Sequence, residues 1–517
     1  MIMYEINPQD WKKRMPEFQE AVKSFYAGEC PRGQYKGTSG LFGSYAQRED
    51  GLSMVRLRMT AGRLTMKKLT YIVETMKKYQ IKRAHLTTCQ SIQLHDIAEP
   101  SAIWEIVESA LDVGIVTMGA GGDNPRNIMC SPLTGVEKGE YFDVMPYAEA
   151  AGEYLMNFIN MPKMPRKYKC GFSSSPKNIP HATFRDMGFV ARKDGTFDVY
   201  TAGGVGPNPR KGVLCAEGVE PTKILYYCKA LYDTFCAYGN YEQRAKARTR
   251  YMQESLGGPE AYKKAYLEKL EHVLQTEKLD LPKPEGYEVT KKGCGRIYGS
   301  RITQQKQKGL VAVEWHPIGG VFSDQELFKL YDVIKDMEDV ELRIAPYESV
   351  YIINLTAAEA RKVLAATPET AATLFEHSVA CIGAATCQAG VRDSQKLLQA
   401  CVDAVRAADI PDGALPKVRI SGCPSSCASQ QAGAIGFRGH SKRVNGKSES
   451  AFMLDYDGSE RQGKEILAKE EGAILETEIP KFLVELGKKV AETGLSYEKW
   501  RKAYPGELEK IAAPYLA

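Results

Sequence analysis

Residues 55–65 read VRLRMTAGRLT, and residues 313–323, 258 positions further on, read VEWHPIGGVFS. Each copy opens with alternating apolar residues, passes a glycine (Gly62 or Gly320) and ends on a hydroxyl residue of the kind that caps helices. The alternation predicts a strand, and the terminal hydroxyl predicts the start of a helix. We therefore expect two copies of one structural unit.

Each copy continues into a segment with the pattern of a half-buried helix. In the second copy, Ser323 and Glu326 have the spacing of a capping box. Apolar residues then recur at positions i, i+3, i+4 and i+7, which is typical of a helix with one buried face. They are Leu69, Ile72, Val73 and Met76 in the first copy and Leu327, Leu330, Tyr331 and Ile334 in the second.

A second strand is predicted in each copy, over residues 85–95 and 343–353, with the same offset. The pattern predicts two strand–helix–strand units whose sheets pair into one α+β platform. The intervening segment ends in a helical stretch near Pro259–Lys278. Residues 281–286, LPKPEG, then predict a linker. A helical tail is expected from Pro480 onward.

The composition is that of an ordinary globular protein. The chain has 517 residues, of which 26% are charged and 43% hydrophobic, enough for about three or four domains. No apolar run approaches the roughly 18 to 20 residues of a membrane span, and residues 1–15 lack the apolar region of a signal peptide. The net charge of +5 is too small to indicate nucleic-acid binding. Thirteen cysteines without an export signal indicate a reducing compartment, so we expect a cytoplasmic enzyme.

Four of the cysteines form a compact pattern. Cys381 and Cys387 have the spacing C-x5-C, and Cys423 and Cys427 have the spacing C-x3-C. Small residues between them would let the backbone approach an inorganic centre closely. Four thiolates suit a [4Fe–4S] cluster or a zinc ion, and four unrelated buried thiols are the third possibility. The spacing fits the larger cluster better than a zinc knuckle.

Residues 421–437, SGCPSSCASQQAGAIGF, resemble the signature of the siroheme and [4Fe–4S] sulfite and nitrite reductases. The upstream cysteine pair is similar to that family's other cluster ligands, and the internal repeat is similar to its duplicated half-domain. The resemblance runs from about residue 40 over nearly the whole chain. It implies a [4Fe–4S] cluster held by all four cysteines, with the Cys427 thiolate also ligating the siroheme iron.

The resemblance also implies a fold and a reaction. The fold is α+β, with duplicated ferredoxin-like half-domains pairing into one platform and two larger α/β domains embracing the cofactors. The reaction is six-electron reduction of sulfite to sulfide or of nitrite to ammonia. The sequence carries no flavin or nicotinamide fingerprint, so we expect an external electron donor, either a ferredoxin or a separate reductase subunit.

This organisation predicts that the chain is divided into four parts. The expected divisions are an N-terminal extension with the first ferredoxin-like half-domain (1–118), a first siroheme and substrate domain (119–282), the second half-domain (283–368) and a cluster- and siroheme-ligating domain (369–517).

Reduction of a small oxyanion needs cations that bind it and deliver protons. Arg56 and Arg58 alternate on a predicted strand, Lys167 and Lys169 alternate likewise, and Arg126 lies in a loop-like stretch. Taken alone, such pairs usually form a solvated face. By the resemblance, Arg56, Arg126, Lys167 and Lys169 match the family's substrate-binding cations.

Siroheme is a polyanion, so its binding site should contain basic and amide side chains. By the resemblance, the matching positions are Arg58, Thr87, Gln93 and His95. Taken alone, His95 is more simply explained as a core histidine. The run Gly203–Gly206 resembles the glycine-rich loop of the family's first large domain.

The sequence departs from the family pattern at three positions. Cys89 stands where the family usually has an arginine that meets siroheme carboxylates, Ser425 replaces an asparagine, and Ala434 replaces an acidic residue. Cys89 in place of arginine removes one charge-assisted hydrogen bond to siroheme, which would be worth about 1.5 to 3 kcal/mol if it were shielded from solvent. Alternatively, Cys89 marks a subfamily with another substrate or tetrapyrrole. It also favours the alternative function, a non-catalytic tetrapyrrole and iron–sulfur electron-transfer or carrier protein. Retention of the four substrate cations argues for the enzyme.

Overall fold

The computed structural model describes residues 7–159 and 163–516 and has a mixed α+β fold. Its strands form four five-stranded sheets. The strands are β1 (Ser44–Ala46), β2 (Ser53–Arg58), β3 (Arg63–Leu64), β4 (Arg83–Leu86), β5 (Ser91–Ile97), β6 (Met129–Cys130), β7 (Cys170–Ser173), β8 (Met187–Ala191), β9 (Phe197–Thr201), β10 (Val213–Val219), β11 (Ile302–Gln304), β12 (Val311–Trp315), β13 (Val321–Ser323), β14 (Glu341–Ile344), β15 (Val350–Leu355), β16 (Val379–Ala380), β17 (Val418–Ser421), β18 (Ile435–Val444), β19 (Lys447–Tyr456) and β20 (Lys469–Leu475).

Helices cover the sheets and form the C-terminal end of the chain. They are α1 (Pro8–Lys12), α2 (Met15–Tyr26), α3 (Arg32–Ser39), α4 (Met66–Lys78), α5 (Pro100–Ala110), α6 (Met145–Met156), α7 (Ile224–Tyr238), α8 (Met252–Ser255), α9 (Pro259–Thr276), α10 (Asp324–Ile334), α11 (Ala357–Ala366), α12 (Ser394–Ala407), α13 (Ile479–Ala491), α14 (Tyr497–Ala503) and α15 (Glu507–Leu516). None of the described helices combines the length and apolar composition that a membrane-spanning segment needs.

The two repeat copies form one platform by exchanging strands. The first sheet has the order β1-β2-β5-β4-β13 and the second has the order β11-β12-β15-β14-β3. Strand β13 of the second copy therefore pairs with β4 of the first, and β3 of the first pairs with β14 of the second. One hydrophobic core, which includes Leu57, Leu94, Val313 and Ile352, runs through both copies. The predicted platform of paired half-domains is confirmed.

The helices of the platform follow the predicted pattern. The capping box of Ser323 and Glu326 is present, and the predicted apolar faces of α4 and α10 are buried except at Tyr331, which is half-buried. Thr65 takes the N-cap position of α4, but among the described residues its side chain accepts no capping hydrogen bond. The equivalent helices α4 and α10 therefore differ in whether the N-cap side chain makes its hydrogen bond.

The prediction of one long strand at the end of each copy was wrong. Residues 85–95 and 343–353 each fold into a tight hairpin, β4–β5 and β14–β15. The chain reverses at Gln90 (φ 54°) and at Glu348 (φ 65°), both in the left-handed region. Apolar alternation continues across the turn, so the sequence pattern alone does not reveal it.

The duplication extends into the larger domains, where the sequence repeat is too weak to detect. Strands β6 to β10 and β16 to β20 have the same order and the same two parallel and two antiparallel pairings. Ser131 donates its backbone N–H to Phe172 at 3.0 Å, and Cys381 donates to Ile420 at 3.1 Å. Ser131 is therefore the counterpart of the predicted ligand Cys381. Between the two halves, residues 277–301, all of them described, run without helix or strand and include the predicted linker.

Candidate functional site

The candidate site lies where the platform meets both larger domains. Thr88, in the β4–β5 turn, donates its hydroxyl to the backbone oxygen of Cys427 at 2.7 Å. The backbone N–H of Gly206, in the glycine-rich loop, donates to Gln431 at 2.7 Å. Arg48 of the platform donates to the backbone oxygen of Gly390 at 2.8 Å. These contacts bring the cysteine loops and the predicted cation positions together.

The four predicted cluster cysteines lie on two adjoining loops. Cys381 follows β16, and Cys423 and Cys427 follow β17, which is the parallel neighbour of β16. Because parallel strands end at the same edge of a sheet, these loops adjoin. The pKa of the Cys381 thiol is raised to about 12, chiefly by burial and secondly by the charge of Cys427.

The charge environment of Cys427 links all four thiols. Burial raises the pKa of Cys427, Lys167 and Lys169 lower it, and the neighbouring Cys423 and Cys387 raise it. Because Cys427 also raises the pKa of Cys381, each of the other three thiols lies within electrostatic reach of Cys427. Thiolates that lie near one another need compensating positive charge, which a metal centre supplies.

The loops fit a large inorganic centre. The Gly422 backbone N–H donates to Cys381 Sγ at 3.2 Å, the kind of hydrogen bond that tunes cluster thiolates. A Cβ at Gly422 would lie 2.5 Å from the Arg392 carbonyl oxygen, so the loop requires glycine. Within residues 7–159 and 163–516, no three His, Cys, Asp or Glu side chains approach closely enough to ligate one metal ion.

The predicted substrate cations converge beside Cys427. Burial lowers the pKa of Lys167 strongly, and Lys169, Arg248 and Arg126 lower it further. Burial also lowers the pKa of Arg126 to about 10; Tyr45 opposes that shift and Arg56 adds to it. Positive groups depress one another's pKa only at close range, so these side chains share one pocket.

Local structure explains how the two lysines come to face the pocket. The prediction of a strand through Lys167 and Lys169 was wrong, because β7 begins only at Cys170. An isolated bridge between Pro125 and Tyr168 holds this segment extended. Tyr168 is buried in the core, so the lysines on either side of it point the other way.

The arginines of the site are anchored to backbone oxygens. Arg56 donates to Ala120 at 2.8 Å, and Arg126 donates to Gly122 at 2.6 Å. Arg58 donates to the carbonyl oxygens of Met118, Pro125 and Arg126 at 3.0, 3.2 and 3.0 Å. Burial lowers the pKa of Arg58 to about 9, and Arg126 adds to that shift. Arg58 thus positions the loop that carries Arg126.

The other predicted siroheme residues lie on one face of the first sheet. Thr87 Oγ1 accepts the Ser91 backbone N–H at 3.1 Å, and Gln93 Oε1 lies 3.2 Å from His85 Nδ1. His95 Nδ1 lies 3.1 Å from the Gln47 side-chain oxygen, and in the described chain its buried Nε2 has no hydrogen-bond partner. The Nε atoms of Arg58 and Arg126 are buried and without a partner in the same part of the chain. These unpartnered polar atoms fit a polyanionic tetrapyrrole, because carboxylates would satisfy the N–H donors among them.

Sequence reasoning missed two further cations, Arg185 and Arg248. Arg248 donates to the Asp186 carboxylate at 2.7 Å, and the same carboxylate accepts the Lys169 backbone N–H at 2.8 Å. Both arginines lower the pKa of Lys169. They lie far from the lysines in sequence and have no spacing pattern, so only the fold reveals them.

Cys89, the departure from the family pattern, lies inside the pocket. Lys169 Nζ donates to Cys89 Sγ at 3.3 Å. Burial raises the pKa of Cys89, but Lys169 and Arg185 outweigh burial and lower it to about 6. The thiolate therefore dominates above about pH 6.

Alkylation should report this thiolate directly. In protein prepared without cofactors, we expect the rate at which iodoacetamide modifies Cys89 to reach half its maximum near pH 6, because the thiolate is the reactive form. Mass spectrometry of the peptide that contains Cys89 measures the rate of modification. The Cys89→Ser variant is the control, because it lacks the thiol that is modified. A midpoint near the ordinary cysteine value of 9.0 would contradict the ion pair with Lys169.

Two sequence profiles match the chain. The profile of the nitrite and sulphite reductase 4Fe-4S domain matches residues 121–274, and that of the nitrite/sulfite reductase ferredoxin-like half domain matches residues 45–106. Both matches fall in the first copy of the duplicated fold, whereas the four cysteines lie in the second. The equivalent sheet of strands β16 to β20 extends the same architecture to the cysteine-bearing half.

Whole proteins of the same kind are also similar. The chain is 25% identical over 455 residues to a ferredoxin sulfite reductase of Mycolicibacterium paratuberculosis, covering 80% of this chain and 78% of the relative. It is 26% identical over 412 residues to the chloroplastic ferredoxin–nitrite reductase of Arabidopsis thaliana, covering 75% and 67%. The structure of the Mycobacterium tuberculosis NirA protein has the same fold, with a TM-score of 0.78, 22% identity and coverage of 97% of this chain and 95% of that one. The chain is therefore similar to nitrite and sulfite reductases over most of its length, and this similarity implies siroheme and [4Fe–4S] cofactors.

Proposed function

We propose that this protein catalyses the six-electron reduction of a small oxyanion, sulfite to sulfide or nitrite to ammonia. In this proposal Cys381, Cys387, Cys423 and Cys427 hold the cluster, and the Cys427 thiolate also ligates the siroheme iron. Arg58, Thr87, Gln93 and His95 form the siroheme cradle. The protein acts in the cytoplasm and is divided into the four parts expected from the sequence.

The observation that carries the proposal is the position of the cation pocket beside Cys427. Lys167 and Lys169 both lower the pKa of the Cys427 thiol. Lys169 also donates to Cys89, whose neighbour Thr88 donates to the Cys427 backbone oxygen, so the proposed bridging sulfur and these cations belong to one region. A carrier protein has no need of an anion pocket at that place. An enzyme that reduces anions at the bridged iron requires one.

The residues of the pocket have distinct tasks. Arg56 and Arg126, held by backbone oxygens, are fixed cations that orient an oxyanion. The lysines bear mobile protons, and the depressed pKa values of Lys167 and Lys169 make them readier proton donors than ordinary lysines. Siroheme and the cluster, when bound, supply the electrons and the open iron position.

We propose a ferredoxin as the electron donor, with a separate reductase subunit as the alternative. Two relatives named for ferredoxin, one a sulfite reductase and one a nitrite reductase, support this choice. Turnover with reduced methyl viologen but not with reduced ferredoxin would exclude ferredoxin.

The direct test compares kcat/KM for sulfite and nitrite in anaerobically reconstituted protein with reduced methyl viologen as donor. We expect turnover of at least one anion, together with tetrapyrrole absorbance and cluster iron and sulfide. Protein that binds both cofactors but reduces neither anion would support the carrier alternative. Colourless protein that binds neither cofactor would contradict both.

A further inference from the structure

One short loop anchors both of the fixed arginines of the pocket. The Ala120 backbone oxygen accepts hydrogen bonds from Arg56, at 2.8 Å, and from Arg126. The Gly122 backbone oxygen accepts a second hydrogen bond from Arg126 at 2.6 Å. Residues 119–122 read GAGG, so the loop has almost no side chains of its own and its backbone is conformationally free. The positions of both guanidinium groups therefore depend on what holds this loop.

The side chain of Tyr45, in the middle of β1, packs against the loop. Its hydroxyl oxygen accepts the Gly122 backbone N–H at 3.3 Å. A Cβ atom added at Gly121 would lie 2.0 Å from this hydroxyl oxygen, and one added at Gly40 would lie 2.9 Å from it. The hydroxyl is therefore enclosed between two glycines, where it blocks movement of the loop towards β1.

The ring of Tyr45 makes a second contact, with Arg56. The Arg56 Cζ atom lies 6.0 Å from the centroid of the ring, which is within the range of a cation–π interaction. Tyr45 also raises the pKa of Arg126, against the larger and opposite effect of burial. One half-buried side chain thus touches the first arginine and the loop that anchors the second.

The internal repeat indicates that this arrangement is specific to the pocket. The equivalent of Tyr45 in the second copy, 258 positions further on, is Thr303, and the equivalent of Arg56 is Glu314. Tyr45 and Thr303 pair with equivalent positions of the neighbouring strand, so the two sites can be compared directly. The tyrosine occurs in the copy that carries the arginine and is absent from the copy in which a carboxylate replaces the arginine.

We propose that Tyr45 is a positioning residue of the oxyanion pocket, which fixes the separation and orientation of the Arg56 and Arg126 guanidinium groups. This inference rests on the proposed function, in which the two arginines orient the substrate anion. Long arginine side chains lose rotamer freedom when they close on a ligand, and a pocket that is fixed beforehand avoids this cost. The loss of Tyr45 should therefore weaken the binding of the anion.

Tyr45→Phe is the variant that tests the hydroxyl, because it keeps the ring beside Arg56. In titrations of the oxidised holoenzyme with nitrite and with sulfite, followed by tetrapyrrole absorbance, we expect Kd to rise about five- to tenfold. With reduced methyl viologen as donor, KM should rise by a similar factor at nearly unchanged kcat, because binding that is lost equally in the ground and transition states changes KM alone. Tyr298→Phe, which removes an exposed hydroxyl, should change neither constant.

A double-mutant cycle with Arg126→Met separates positioning from a general structural role. A positioning residue acts through the arginine, so Tyr45→Phe should raise Kd by a smaller factor in the Arg126→Met background than in the wild type. The same factor in both backgrounds would overturn the inference. Wild-type Kd and KM in Tyr45→Phe would overturn it as well.

Cofactor content and melting temperature, measured on the same samples, complete the test. We expect both to stay at the wild-type level in Tyr45→Phe, because the ring still fills its place in the sheet. A fall in both, together with equal factors in the two backgrounds, would show that Tyr45 has only a structural role. If the wild type bound the anions but reduced neither, the proposed function would fail, while the binding cycle would still decide the role of Tyr45.

Discussion

Replacement of Cys427 by serine is expected to disturb the cluster and the tetrapyrrole together. A serine hydroxyl is a poor ligand for iron compared with a thiolate, so the cluster would keep only three cysteine ligands. If Cys427 also ligates the tetrapyrrole iron, as proposed, that iron would lose a ligand through the same substitution. Since changes around metal ligands already cost 10- to 100-fold, we expect turnover to fall by more than about 100-fold.

Iron and sulfide analysis and the visible spectrum measure this effect. The backbone contact from Thr88 to residue 427 does not involve the thiol, so the loop should keep its place in the variant. Cys294→Ser is the matched control, because Cys294 is exposed and lies outside the four-cysteine pattern. Full iron content together with an unaltered tetrapyrrole spectrum in Cys427→Ser would refute the shared sulfur.

The platform could be predicted from sequence because its determinants are local and repeated. The apolar spacing of α4 and α10 and the capping box at Ser323 each act within a few residues. The exchange of β3 and β13 between the copies has no local signal, since strand pairing depends on distant residues. The hairpin turns at Gln90 and Glu348 were missed for a related reason, because the alternating pattern passes through them unchanged.

The candidate site was predictable to a different degree. The cysteines and the main cations carry motif spacing, so resemblance was enough to propose them. Arg185, Arg248 and His85 join the site only through folding. The meaning of Cys89 also depended on the structure, because a missing arginine contact in the sequence becomes a thiolate paired with Lys169 in the pocket.

The second large effect is expected from Lys169→Met, which removes a central pocket cation while nearly keeping the length of the side chain. Removal of one group that stabilises developing negative charge costs about 10²- to 10³-fold in kcat. The Lys169 backbone N–H donates to the Asp186 carboxylate, and this contact does not depend on the lysine side chain. Cofactor content should therefore stay at the wild-type level, and Lys193→Met, an exposed lysine of the same domain, should change neither property.

The pH dependence provides a second signature of Lys169. Cys89 raises the pKa of Lys169, but burial, Arg185 and Arg248 outweigh that effect and lower it below 10.5. Because only the ammonium form attracts an anion, KM for the oxyanion should rise at a lower pH than an ordinary lysine would give. Lys169→Met should abolish this alkaline rise in KM. If Lys169→Met instead kept wild-type kcat and the same KM profile, the pocket would not be where the anion is reduced, because a cation in contact with substrate cannot be removed without cost.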